Sequence, residues 1–251
     1  DTIFVVTEPD ELTISATQQD IDCNGANNGE IDITISGGSA PLTVTWTSNT
    51  ATTPVQDDLN PTNLESGSYT ATVTDANNCS EQTTINLTEP TPLSLTITGT
   101  DLTCNGVPDG TVSIVPSGGT VAGNYSYDWD NDGTGDFNDN QNLVALLAGT
   151  YCVNIQDDNG CTLALDSCFT IIEPDSIYFN GSTFTDIDCF GNNNASVNIS
   201  VSGGTVTADY GYTWNPVPGC YGGATNIANI NNLCEGSYTL TANDDNGCTN
   251  D

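Results

Sequence analysis

The 251 residues include no lysine, arginine or histidine, and 33 aspartates and glutamates leave a formal charge of −33. Without cationic side chains no side-chain salt bridge can form. No basic patch exists to neutralise a phosphate backbone, so nucleic acid is excluded as a partner. Serine and cysteine nucleophiles lack the base that ordinarily activates them, and an intramolecular Lys–Asn isopeptide cross-link is impossible. Carboxylate-only chemistry survives this exclusion, but it needs two acids across a cleft. Methionine is also absent and no signal peptide is visible, so the sequence reads as a mature chain or a fragment of one. No apolar run approaches the roughly 20 residues of a membrane span.

What is present is acid, cysteine and repetition. The acidity keeps a surface protein dispersed, and that is the reading for most of the carboxylates; divalent-cation binding is the sharper alternative, because only salt or bound metal relieves the self-repulsion. Ten cysteines in a chain without histidine point to disulfides rather than zinc or catalysis, and hence to an extracellular or cell-surface location.

The stretch Asp20–Gly38, DIDCNGANNGEIDITISGG, returns as DLTCNGVPDGTVSIVPSGG at Asp101–Gly119 and as DIDCFGNNNASVNISVSGG at Asp186–Gly204. Recurrence of this kind marks a repeat array. Other landmarks keep the same order. Glu-Pro pairs end at Pro9, Pro90 and Pro174, one tryptophan per repeat follows at Trp46, Trp129 and Trp214, and a Gly-x-Tyr step leads to Tyr69, Tyr151 and Tyr238. A turn closes each repeat at Cys79, Cys161 and Cys248.

Between landmarks the period is two, as in Ile31, Ile33 and Ile35 or Tyr69, Ala71 and Val73, with Thr, Val and Ile enriched; these read as strands with one buried face. About seven short strands per repeat of about 80 residues predict an all-β chain of tandem immunoglobulin-like β-sandwiches, three units in series with swapped or truncated terminal strands. The expected boundaries are 10–90, 91–174 and 175–251. Residues 1–9 match the last strand of a preceding or neighbouring repeat, and the third repeat lacks its own last strand. Two arrangements account for this: a window from a longer tandem array, or head-to-tail polymerisation in which each copy donates its first strand to the next. Small sandwiches of this kind seldom carry a catalytic cleft, so the chain is expected not to be an enzyme.

One early and one late cysteine per repeat suggest the staples Cys23–Cys79, Cys104–Cys161 and Cys189–Cys248. Cys152 and Cys168 flank a turn as cross-strand neighbours would, and Cys220 and Cys234 then pair within repeat three. The strongest candidate metal site is DWDNDGTGDFND, where Asp128, Asp130, Asp132, Asp136 and Asp139 with the carbonyl of Thr134 have the spacing of a calcium loop around Gly133. Two short Asp-Ser/Thr-apolar motifs make Thr2 and Ser176 candidate O-glycosylation sites. Exposed tyrosines such as Tyr125, Tyr210 or Tyr221 could stack on sugar rings.

With Cys-Asn-Gly, Ser-Gly-Gly, a tryptophan, Gly-Ser-Tyr-Thr and Asp-x-Asn-Gly-Cys in this order, the repeats resemble SprB-type repeats of bacterial surface and gliding adhesins. Phe190 departs from the pattern where the other two repeats have Asn24 and Asn105. The resemblance implies an immunoglobulin-like fold, export to the cell surface, a role in adhesion, gliding motility or extracellular filaments, and no catalytic residues. The function read from this is a structural or adhesive segment of a disulfide-stapled stalk or filament. Its partners would be neighbouring copies head to tail, with surface polysaccharide a further candidate. The alternative is a glycan- or calcium-binding module of a secreted protein.

Overall fold

The computed structural model describes residues 1–49, 59–129, 135–215 and 226–250. Seventeen strands and no helix occur among them. Repeat one contributes β1 (Thr13–Gln19), β2 (Glu30–Ser36), β3 (Thr43–Ser48), β4 (Gly67–Thr74) and β5 (Ser80–Leu87). Repeat two contributes β6 (Ser94–Thr100), β7 (Gly110–Ser117), β8 (Ser126–Trp129), β9 (Leu143–Leu146), β10 (Gly149–Gln156) and β11 (Ser167–Ile171). Repeat three contributes β12 (Tyr178–Thr185), β13 (Ala195–Ser202), β14 (Gly211–Asn215), β15 (Ile230–Leu233), β16 (Thr239–Asn243) and β17 (Thr249–Asn250).

Each repeat builds two antiparallel sheets. In repeat one these are β1–β2 and β3–β4–β5, in repeat two β6–β7–β9 and β8–β10–β11, and in repeat three β12–β13–β15 and β14–β16–β17. Alternation does what the sequence pattern requires: β2 is buried at Ile31 and Ile33, and β4 at Tyr69, Ala71 and Val73, while their neighbours face out. In repeat one these residues pack with Trp46, Ile85 and Leu87 into one core. In repeat three Trp214 sits with Ile230, Leu233 and Leu240, its indole N–H donating to the Ile227 carbonyl at 2.9 Å.

The tyrosine that opens each late strand has a second role. The hydroxyls of Tyr69, Tyr151 and Tyr238 donate to the carbonyls of Glu65, Leu147 and Cys234 respectively, each four residues upstream. This is the tyrosine corner of immunoglobulin-type sandwiches, which pins the loop crossing between sheets.

The chain folds into two compact units. One comprises Asp1–Thr96, Val115–Asp139 and Val153–Asp166; the other comprises Ile97–Ile114, Asn140–Cys152 and Ser167–Asp251. Three sequence repeats thus give two compact units, and repeat two contributes to both. The disulfides follow this division, since Cys161 is bonded inside the first unit and Cys104 inside the second.

Candidate functional site: the joints between repeats and an open groove

The within-repeat staples expected from the sequence do not form. Cys23 is bonded to Cys161 and Cys104 to Cys248, with Cα–Cα distances of 5.6 Å in both. Cys79 and Cys189 are exposed free thiols. Topology explains the correction. Cys23 lies in the turn before β2 begins at Glu30, whereas Cys79 lies in the turn beside Ser39, where β2 has ended. A seven-residue strand separates them, about 23 Å at the usual rise, and a disulfide needs Cα atoms within about 7 Å. The early and late cysteines of one repeat therefore sit at opposite ends of its sandwich. Cys152 and Cys168 are bonded to each other, the pairing their hairpin spacing suggested. Cys234 is disulfide-bonded, and Cys220 lies outside the described residues.

What brings an early cysteine to the late cysteine of the following repeat is the way the chain leaves. Ile21 N–H donates to the Thr88 carbonyl, Asn24 Nδ2 to the Pro90 carbonyl, and Gly25 N–H to Glu89 Oε2 at 2.7 Å. The early turn thus clamps the Glu-Pro exit. Repeat two does the same with Leu102 N–H on the Ile172 carbonyl, Asn105 Nδ2 on the Pro174 carbonyl and Gly106 N–H on Glu173 Oε2. The next repeat's late turn then arrives at the clamp. Asn159 Nδ2 donates to the Asp22 carbonyl beside the Cys23–Cys161 bond, and Asn246 Nδ2 to the Thr103 carbonyl beside the Cys104–Cys248 bond.

The late turn is held by a buried aspartate that sequence reasoning did not single out. Asp75, Asp157 and Asp244 are buried. Asp75 Oδ2 accepts Ser39 N–H while its Oδ1 accepts Asn77 and Cys79 N–H. Asp157 serves Thr120, Asn159 and Cys161 in the same way, and Asp244 serves Thr205, Asn246 and Cys248. The available signal was an aspartate four residues before the late cysteine in every repeat.

Backbone N–H donors, that of Ser39 foremost, hold the Asp75 carboxyl below its ordinary value. A depressed folded pKa adds stability that is complete above the unfolded value near 4 and is lost as pH falls through the folded one. Asp75→Asn should therefore lower the melting temperature most at neutral pH, and the gap to the wild type should close as pH drops below about 4. Thermal melts of both proteins in 0.5 M salt, which screens the −33 charge, check this; a gap that stays constant with pH would contradict the clasp.

Repeat three differs from the others at one edge. In repeat one, β5 runs beside β4 from Ser80 to Leu87, with Ile85 opposite Tyr69 and Leu87 opposite Gly67, and both side chains fill the core. In repeat three, β17 pairs only Asn250 with Ala242 and Thr249 with Asn243. On the edge of β16 away from β14, no strand among the described residues lies beside Tyr238 or Leu240. A cavity of about 970 Å³ opens there, lined by Phe184, Val197, Ile199, Trp214, Tyr238 and Leu240 among others. Its openness shows in burial. Ile31 and Ile33, and their counterparts Val112 and Ile114, are buried, whereas the counterparts Val197 and Ile199 are only half-buried.

At the other end of the sequence, residues 1–12 form no strand, and Ile3, Phe4, Val5 and Val6 are exposed, Phe4 at 86% and Val6 at 94%. Aligned on the Glu-Pro pairs, Phe4 takes the place of Ile85 and Phe169, and Val6 that of Leu87 and Ile171.

Of the calcium-loop residues, Asp130, Asp132 and Thr134 lie outside the described residues. Asp139 Oδ2 accepts the Trp129 N–H at 2.7 Å and Asp136 accepts Asn138 Nδ2. No cluster of three or more potential metal ligands occurs among the described residues. Thr2 and Ser176 are exposed. Tyr125 and Tyr210 are half-buried and donate their hydroxyls to the Gly118 and Gly203 carbonyls; Tyr221 lies outside the described residues.

Paired antiparallel sheets, a core tryptophan and a tyrosine corner in every repeat define a tandem immunoglobulin-like protein. The family model described as SprB repeat matches residues 15–51, 96–134 and 181–219. The match thus recurs three times along the chain, once in each repeat. A comparison with the curated proteins finds no match. Among solved structures, the chain is similar at 16% identity to one that explains Dscam isoform specificity, over 65% of this chain and 46% of that one, with a TM-score of 0.30. It therefore spans less than half of that relative's length. It is similar at 10% identity to the chicken CNTN1 FN1–FN3 domains, over 96% and 94% of the two chains, with a TM-score of 0.26. A tetra-tandem repeat in the extending region of a large adhesion protein is 19% identical over 95% of this chain and 71% of that one, with a TM-score of 0.23.

Proposed function

We propose that this chain is a structural segment of an extracellular, disulfide-stapled stalk or filament at a bacterial surface, in which neighbouring copies of the repeat join head to tail. The observation that carries this is the joint between repeats: the early turn clamps the Glu-Pro exit, and the disulfides Cys23–Cys161 and Cys104–Cys248 bond it to the late turn of the next repeat. The role is mechanical and non-enzymatic: sandwiches in series bear load through their sheets.

Electron microscopy of the native protein tests this: a continuous filament of sandwiches in series supports it, and isolated compact particles overturn it.

A further inference from the structure

Each inter-repeat disulfide sits beside a ring of hydrogen bonds that does not include it. At the first joint Asn24 Nδ2 donates to the Pro90 carbonyl, and Gly119 N–H takes the next carbonyl, that of Thr91, at 2.8 Å. Thr120 N–H donates to Asp157 Oδ2, while Asp157 Oδ1 accepts Cys161 N–H. Asn159 Nδ2 closes the ring on the Asp22 carbonyl at 2.9 Å. The second joint is built alike. Asn105 Nδ2 donates to the Pro174 carbonyl, Gly204 N–H to the Asp175 carbonyl, the N–H groups of Thr205 and Cys248 to Asp244, and Asn246 Nδ2 to the Thr103 carbonyl at 2.9 Å. The late cysteine's sulfur lies against the carbonyl that the asparagine holds. Cys161 Sγ is 3.4 Å from the Asp22 oxygen, and Cys248 Sγ is 3.3 Å from the Thr103 oxygen. A disulfide sulfur has no proton to give, but a thiol in that place is a donor, and a carbonyl oxygen has lone pairs for both it and the asparagine amide.

We infer that each joint closes in the reduced chain, and that Asn159 and Asn246 are positioning residues that hold the late thiol beside the early one before oxidation. The disulfide then locks a contact already made. Nothing in either ring depends on the sulfur–sulfur bond: the early turn is fixed by its own repeat's exit, and the late turn by a buried aspartate. Only the asparagine amide crosses from one turn to the other, so it sets the effective concentration of one thiol at the other. By linkage, whatever factor the closed joint adds to disulfide formation, the disulfide returns to the stability of the joint. In forming each bond the two thiols lose two protons and two electrons. A disulfide-bearing exchange partner such as glutathione disulfide takes them up and leaves as two thiols.

The test equilibrates the full chain without oxygen across a series of glutathione to glutathione-disulfide ratios, quenches exchange with acid, and measures alkylation of Cys23 and Cys248. Cleavage after glutamate puts these two cysteines on separate peptides, so the two bonds are read independently in one molecule. Asn159→Ala should lower the oxidation constant of Cys23–Cys161 by about five- to tenfold, the worth of one hydrogen bond, and leave Cys104–Cys248 unchanged. Asn246→Ala should do the reverse. Asn159→Asp keeps the shape but cannot donate, and should lose at least as much as Asn159→Ala. In the fully reduced wild type, the side-chain amide protons of Asn159 and Asn246 should exchange with solvent more slowly than those of the exposed Asn27. Equal losses at both bonds in each alanine variant would mean a general loss of stability and overturn the positioning role. So would an Asn159→Asp chain that oxidises like the wild type. Amides of Asn159 and Asn246 that exchange as fast as those of Asn27 in the reduced protein would show that the joint forms only with its disulfide.

Discussion

A single chain held at residues 1 and 251 and stretched until every sheet has opened should reach about 280 Å with its disulfides intact and about 850 Å after reduction, at roughly 3.4 Å per residue. The difference follows from the pairing. Tension entering at residue 1 passes from Cys23 straight to Cys161, then backwards along the chain to Cys104, and across to Cys248. Only residues 1–23, the stretch between Cys104 and Cys161, and residues 248–251 lie in line. The remainder of repeats one and three is shielded from load by the two overlapping staples. In the chain-entropy model each staple, closing a loop of about 140 residues, also contributes about 5 kcal/mol against complete unfolding. Single-molecule force spectroscopy in the presence and absence of reductant measures both contour lengths. Cys79→Ser discriminates the pairing: it should leave the stapled length unchanged, whereas losing a Cys23–Cys79 staple would add about 190 Å. A joint that limits extension in this way suits a segment that transmits pull, which is why the staple pattern bears on function more than the fold class alone.

Much of the fold was legible because it is written in period two. Ile31, Ile33, Tyr69, Ala71 and Val73 alternate, and they are the buried faces of β2 and β4. The three copies of one stretch, and the tryptophan of each, likewise led to three sandwiches. Cys152–Cys168 was legible from its hairpin spacing, but the pairing of the early and late cysteines was not, because a repeat pattern places one of each in every unit without saying which end of the sandwich either occupies. That depends on how many strands lie between them, and hence on the direction in which β2 runs. Asp75, Asp157 and Asp244 escaped for a related reason. An acidic residue in an Asn-Gly turn of a chain with 33 acids looks like solvated surface, and its burial appears only when the Gly-Gly segment folds over it. The open groove was half legible: the missing strand and the surplus one could be matched by their sequences, but the half-burial of Val197 and Ile199 is a property of the folded edge.

Gly118→Ala should cost the middle repeat on the order of 3–4 kcal/mol, while Gly106→Ala should cost only about 1–2 kcal/mol. Both glycines have positive φ, +82° and +69°, so both substitutions carry the left-handed penalty of an L-residue. They differ in what a methyl group would meet. At Gly106 nothing lies within 4 Å; at Gly118 a Cβ would stand 2.0 Å from the Pro92 carbonyl oxygen. That oxygen belongs to main chain leading into β6, which Gly119 N–H ties down through the Thr91 carbonyl at 2.8 Å, so it cannot move aside without releasing the segment. Gly37 and Gly203 face the Glu11 and Ser176 carbonyls in the same way. The excess over Gly106→Ala isolates the steric contribution, and hydrogen-exchange protection of the β7 and β10 amides reads it locally, without assuming that the whole chain unfolds at once. A second consequence follows from the neighbouring clasp. Asp157 Oδ2 accepts the N–H of Thr120, one residue beyond the Gly-Gly pair, while its Oδ1 positions Cys161. Displacing Gly118 therefore disturbs the cysteine that must reach Cys23, and refolding of Gly118→Ala under oxidising conditions should leave a measurable fraction of Cys161 open to alkylation. Full closure of that bond in the variant, together with a stability loss no greater than that of Gly106→Ala, would mean that the Gly-Gly pair is a turn and nothing more.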